Sequence, residues 1–276
     1  MDKDEARGRF AELAAGDEER INLAEAALLI AAEADARLDP RHYLHRFDAL
    51  ARQAGAALHT AESPAEAVVR LNGFLYGKMG FAGNRDDYYD PRNSFLNEVL
   101  DRRLGIPITL AVVYMEVARR LGLRVEGVNF PGHFLLRHAG AGGIIVDPFV
   151  GEVLTQGECE ERLRAMAGSG AVLHSHHLRP AGTREILARM LTNLNQIYFN
   201  RGEWESALAC CDRILLLTPD APAALRVRGI LYDQLDCFPE ALADLERYLE
   251  LAPDDPAAAV ARERLEAIRQ RAHRMN

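Results

Sequence analysis

The last third of the chain repeats itself with a period of 34 residues. Tyr198, Trp204, Ala207, Leu208, Leu215 and Pro219 recur as Tyr232, Phe238, Ala241, Leu242, Leu249 and Pro253. A period of this length, apolar at helical spacing and closed by proline, specifies a helical hairpin as the repeating unit. The small Ala207 and Ala241 let the two helices of a hairpin approach, and the aromatics fill the space between neighbouring hairpins. The repeats cover about 185–219 and 220–253, and a capping helix follows from Ala257 to about His273, with Arg262, Arg264, Arg269 and Arg271 on its wet side. Stacked hairpins present a concave groove, for which Asn193, Asn195, Gln196, Asn200 and Arg228 are the candidate lining residues. Two repeats are fewer than the three or so that stand alone. The groove therefore either meets an outside partner or is used within the chain.

Upstream the pattern is different. Helical spacing covers Asp17 to Asp35, Arg41 to about Leu58, and, after the Ser63-Pro64 start signal with Glu66 behind it, a stretch reaching about Tyr76. Three helices are thus expected before a polar, aromatic loop from Gly77 to Asn93. Asn93 or Ser94 can cap a short helix from Phe95 to Arg103, and Pro107 opens a mostly apolar helix closed by Gly122, expected to be central and buried. The period then changes to two. Strands are expected at Val125–Phe130, at His133–His138 after a Pro131-Gly132 turn, at Gly143–Val146, and over a short stretch Glu152–Leu154. Gln156–Met166 is helical and Gly168–Pro180 is an irregular linker. The fold class is α+β: a helix-plus-antiparallel-sheet domain at 1–180, then an all-α domain at 181–276.

A net charge of −8 argues against nucleic acid as a partner, although arginine supplies nearly all the cations and leaves room for a local basic patch. The charged start has no apolar leader, and no apolar run is long enough to span a membrane. The cysteines, Cys159, Cys210, Cys211 and Cys237, form no CxxC pair. These features point to free thiols in the cytoplasm. Neither a cofactor nor a metal is expected: His174, His176 and His177 cluster in the linker, but with no cysteine or carboxylate beside them.

The repeat period belongs to tetratricopeptide repeats. The stretch Phe81–Phe149 resembles a transglutaminase-like, papain-related core, through GHFLLR around His133 and VDPF around Asp147. The segments GNRDDYYDPRNSFLNEVLDRRLGIPITL and REILARMLTNLNQIYF are similar to those of the bacterial regulator-of-SirC-expression family, which joins such a core to tetratricopeptide repeats. The resemblance implies that His133 and Asp147 are two members of a nucleophilic triad whose third member is a cysteine at the start of the central helix.

That cysteine is absent. Its place falls at Pro107, or with a small shift at Thr109. Proline is no nucleophile, and a threonine hydroxyl gains no thiolate-like acidity from a helix N-terminus and would depend on His133 as base. The favoured reading is a non-catalytic core serving as a protein-interaction or regulatory scaffold, with a protein or peptide as partner. Its rival is a hydrolase or acyl transferase using Thr109 or Ser94 with His133 and Asp147. Ser94 is read first as a helix cap, and His133 and Asp147 as either a satisfied structural pair or a contact site. Asn93, Ser94, Asn97, Pro107 and Asn129 are candidates to line the cleft. Cys159 is placed on a helix surface, out of triad order.

Overall fold

A computed structural model describes residues 1–275 and divides the chain into two compact units, Met1–Ile186 and Leu187–Asn276. The first unit begins with four helices. Helix α1 (Lys3–Ala15) is capped by Asp2 and α2 (Leu23–Ala34) by Asn22, while α3 (Pro40–Leu58) follows Asp39. Helix α4 (Pro64–Asn72) is capped by Ser63, which accepts the Glu66 N–H. The sequence reading has three helices here. It passes over α1 because the only buried side chains of that helix are Ala6, Phe10 and Ala14, too small an apolar stripe to stand out among its charges. Helix α4 also stops short of Tyr76 and passes into a π-helical turn, Gly73–Lys78.

The loop that follows is pinned rather than loose. Strand β1 (Ala82–Gly83) pairs in parallel with β2 (Leu104–Gly105). Between them α5 (Leu96–Arg102) starts after Phe95 with no side-chain cap, so neither Asn93 nor Ser94 caps it. Helix α6 (Pro107–Arg120) is the central helix. From Pro107 to Ala118 all but Met115 of its residues are buried. Arg120 ties it to α3, bonding Asp48 at 2.7 Å and also Glu116.

Four antiparallel strands follow in the order β3 (Val125–Val128), β4 (Leu135–His138), β5 (Ile144–Asp147) and β6 (Glu152–Leu154). The first two strands are shorter than their pattern suggests. Phe130-Pro131-Gly132-His133 closes a turn, with Gly132 at φ +67° and the His133 N–H donating to the Phe130 carbonyl at 3.0 Å. His133 therefore stands just before β4, not on it. Helix α7 (Gln156–Ala167) covers one face of the sheet, where Val128, Phe130, Leu135, Ile145, Leu154, Cys159 and Leu163 form one apolar cluster. Cys159 is in that cluster and fully buried, not on the helix surface. Beyond it, Pro180 bridges to Val128 and the Ala181 N–H donates to the Gly127 carbonyl, so the chain runs along the free edge of β3.

The second unit is all α. The hairpins are α8 (Thr183–Arg201) with α9 (Trp204–Leu217) and α10 (Pro222–Gln234) with α11 (Phe238–Leu251), followed by α12 (Ala258–Met275). Ala207 and Ala241 are both fully buried at the helix crossings. Gly229 permits a close crossing in the second hairpin: a Cβ there would lie 2.8 Å from Leu245 Cγ and 3.2 Å from the Ala241 carbonyl.

Candidate functional site

Antiparallel pairing of β4 with β5, in the register Leu136↔Val146, brings His133, two residues before β4, to the end of β5. His133 Nε2 and Asp147 Oδ1 meet there at 2.9 Å. The same oxygen accepts the Phe149 N–H at 2.9 Å, and Oδ2 pairs with Arg162 of α7 at 2.8 Å. Burial opposes ionisation of Asp147, but the bonds and charge of His133, the Phe149 amide and Arg162 outweigh it and hold the carboxyl below its ordinary range. The Asp147 side chain is 2% exposed and that of His133 21%, so the carboxylate is the buried anchor and the imidazole its partly open end. With Nε2 on Asp147, Nδ1 has no hydrogen-bond partner among the described residues.

Arg162 is absent from the sequence reading. Cys159 and Leu163 mark the buried stripe of α7 at i,i+4 spacing, and Arg162 lies on its flank. Nothing in the local pattern says that this flank reaches the end of β5. Met166, one turn further on, lies over Gly132, where an added Cβ would come within 2.1 Å of its methyl carbon. On the other side Phe149 packs against Gly83, and Tyr88 and the Arg85 guanidinium stand over its ring. Tyr88, Tyr89 and Met166 are exposed. Met166 thus lies at the residue before His133, and the aromatic group surrounds Phe149, whose N–H shares Asp147 Oδ1 with His133.

Neither Thr109 nor Ser94 is hydrogen-bonded to His133. Thr109 is fully buried, and its hydroxyl donates to the Asn93 carbonyl at 2.7 Å, lies 3.1 Å from the Ile106 carbonyl, and accepts the Ile106 N–H at 3.1 Å. These bonds use its donor and acceptor capacity in starting α6. Pro107 is the first residue of that helix, also buried. Ser94 is buried and its hydroxyl has no protein partner, so it bonds neither a helix end nor His133. Among the described residues no hydroxyl is hydrogen-bonded to His133.

The other proposed cleft residues are mostly interior. Asn93 accepts from the Asn84 amide at 3.0 Å and donates to the Asp87 and Tyr88 carbonyls, fixing the 84–90 loop from within. Asn97 is buried and Asn129 half-buried. Arg102 pairs with the buried Asp90 at 3.4 Å, while Arg103 takes the left-handed cap of α5.

A second polar chain crosses the core. Tyr114 of α6 bonds both Asn72 Oδ1 and His138 Nε2 at 2.9 Å, and the Asn72 amide donates to the Gly151 carbonyl at 3.1 Å. Tyr76 donates to the Pro148 carbonyl at 2.9 Å. The cluster of His174, His176 and His177 packs ring on ring, and His177 Nδ1 accepts the His174 N–H at 2.9 Å.

In the repeat unit the groove candidates separate. Asn195 is buried inside its hairpin, donating to the Ala207 carbonyl at 2.8 Å and standing 3.2 Å from Cys211 Sγ, so it is not a groove residue. Arg228 is held by Asp244 at 2.6 and 2.8 Å and by Asp212 at 2.9 Å, bracing α9, α10 and α11. Gln196 and Asn200 are exposed and bonded to each other, and Asn193 is half-buried. Arg264, half-buried, and Arg271, exposed, both pair with the buried Asp233 of α10.

Comparison with known proteins agrees with both units. The transglutaminase-like superfamily model matches residues 41–192, and a tetratricopeptide repeat model matches residues 194–266. A UPF0162 protein of Xylella fastidiosa (strain 9a5c) is 44% identical over 229 residues, which cover 81% of each chain. A UPF0162 protein of Pseudomonas aeruginosa is 42% identical over 217 residues, covering 78% of this chain and 79% of that one. F-box only protein 21 of Homo sapiens is 33% identical over 215 residues, 71% of this chain but 32% of the longer human protein.

Proposed function

The chain belongs to the transglutaminase-like superfamily and to the UPF0162 family, and we propose that it is a protein-interaction scaffold whose transglutaminase-like core does no covalent chemistry. The observation that carries this reading is the buried Thr109 hydroxyl, committed to Ile106 and Asn93. A nucleophile must reach its base, and this one is spent on the backbone. His133, Asp147 and Arg162 then form a fixed polar centre between Phe149 and Tyr88 on one side and Met166 on the other. Aromatic, methionine and arginine side chains around a polar centre suit a protein or peptide surface. The tetratricopeptide repeats supply the second contact surface. A regulatory role in the bacterial cytoplasm, as the resemblance to the regulator-of-SirC-expression family suggests, belongs to the same reading.

The test is intact-mass labelling with serine-, threonine- and cysteine-directed electrophiles, mapped to peptides, on the wild type and His133→Ala. Labelling confined to cysteines and indifferent to His133 is the expected result. Adducts at Thr109 or Ser94 that vanish in His133→Ala would establish a working nucleophile–base pair and overturn the reading.

A further inference from the structure

A second concavity lies in the first unit, away from Asp147. It holds about 650 Å³, open to solvent, between the end of α3, the start of α4, the end of α6 and the turn after β4. That size is within the range of small-molecule sites. Small residues create the space: Gly55 on α3, Ala61 and Ala67 at α4, Gly122 after α6, and Gly140 after β4, with Leu58 and Leu121 as apolar walls. Added Cβ atoms at Gly122 and Gly140 would meet nothing within 4 Å.

One buried polar side chain, His138, lines this space and is 3% exposed. Its tautomer follows from the polar chain behind it. The Asn72 amide nitrogen donates to the Gly151 carbonyl, so Asn72 Oδ1 faces Tyr114 and must receive the phenol proton. Tyr114 has no second proton, so at 2.9 Å His138 Nε2 must be the donor. Nδ1 then carries the lone pair, and it has no hydrogen-bond partner among the described residues. The cavity thus holds one fixed, neutral acceptor among its buried lining residues, while the other polar residues that line it, His59 and Ser63 among them, are exposed. Both signs of charge stand at its edge, Glu62 and Arg124, which favours neither an anion nor a cation.

We propose that this cavity is a binding site for a small neutral ligand with an apolar, ring-sized body and a single hydroxyl or N–H group that donates to His138 Nδ1. The site is independent of the His133 centre, and so of the scaffold reading.

The test uses 2-naphthol and its methyl ether, 2-methoxynaphthalene, which differ in the donor alone. Each is titrated into ¹⁵N-labelled full-length protein and followed by amide shifts. The expected result is saturable shifts from 2-naphthol at Gly55, Leu121–Arg124 and Gly140–Ala141, with the ether at least about tenfold weaker. Gly140→Trp fills the cavity from a position with open space around it, and abolishes binding of both while leaving the remaining spectrum in place. Ala61→Trp does the same from another wall, should the first variant not fold. Shifts that do not saturate, equal affinity for the two compounds, or binding that survives a folded filling variant would each overturn the proposal.

Discussion

Arg162 reaches from α7 to Asp147 at the end of β5, with a guanidinium nitrogen 2.8 Å from the carboxylate oxygen that His133 does not use. The two oxygens of Asp147 are thus divided between two cations or potential cations on separate elements. Removing the arginine leaves a buried carboxylate with less to offset its desolvation. Arg162→Ala is expected to lose about 1 kcal/mol at pH 7, discounted because the arginine is partly open to solvent. The sign with pH follows from the depressed carboxyl. Its stabilisation is present above the unfolded value near 3.9 and is lost as pH falls through the lower folded value. In Arg162→Ala the folded value lies closer to the unfolded one, so the acid loss is smaller and is complete at a higher pH, which urea denaturation between pH 2.5 and 7 would register. Coincident acid limbs for the two proteins would contradict the pairing.

Thr109 is expected to matter for stability through its hydroxyl and not its methyl. Thr109→Val leaves the Ile106 N–H and the Asn93 carbonyl short of a partner in the core, at a cost of about 2 kcal/mol. Thr109→Ser keeps both bonds and loses less. Chemical denaturation ranks the three proteins, and a valine variant as stable as the wild type would refute the role given to the hydroxyl.

His138 sets a separate pH dependence. Burial pushes its pKa down to about 4, whereas the unfolded ring titrates near 6.5. Between those values the unfolded chain binds the extra proton, so stability falls as pH drops through that window and levels off below it. The slope is at most about 1.4 kcal/mol per pH unit. His138→Gln, which keeps a donor toward Tyr114, is expected to flatten this part of the curve. Thermal melts every half unit from pH 3.5 to 7.5 would show whether it does.

Gly229 predicts a reversal of ordinary helix preference. In an exposed helix Gly→Ala gains stability by up to about 1 kcal/mol. At this crossing the new methyl meets Leu245 and the Ala241 carbonyl, and the latter is backbone that cannot swing aside. Gly229→Ala is expected to destabilise the repeat unit by about 1–3 kcal/mol. A raised melting temperature would mean that the hairpin is looser than described.

The repeats were the most legible part of the fold, because Ala207 and Ala241 announce their helix crossings through spacing alone. The meeting of His133 and Asp147 was also readable, since a short hairpin between two strands allows few registers. Their third contact was not. Arg162 comes from a helix after the sheet, and no local pattern carries a charge partner's direction. Thr109 shows the opposite limit: its type admitted a nucleophile, and only the geometry assigns the hydroxyl to the start of α6. Asn195 and Arg228 are groove candidates in the sequence because polar side chains on a repeat are usually wet. Both are instead satisfied inside the unit, by Ala207 and Cys211 and by Asp212 and Asp244.

The run of chain beside β3 bears on how this protein behaves when crowded. An uncovered strand offers its amides and carbonyls to any extended peptide, and sheets with such edges recruit one another into aggregates. Here the Gly127 carbonyl is taken by Ala181, and the residue facing Val128 is Pro180, which has no N–H with which to pass the ladder on. At Gly127 and Val128 that edge is covered by the molecule's own backbone and ends in a residue that cannot template another strand.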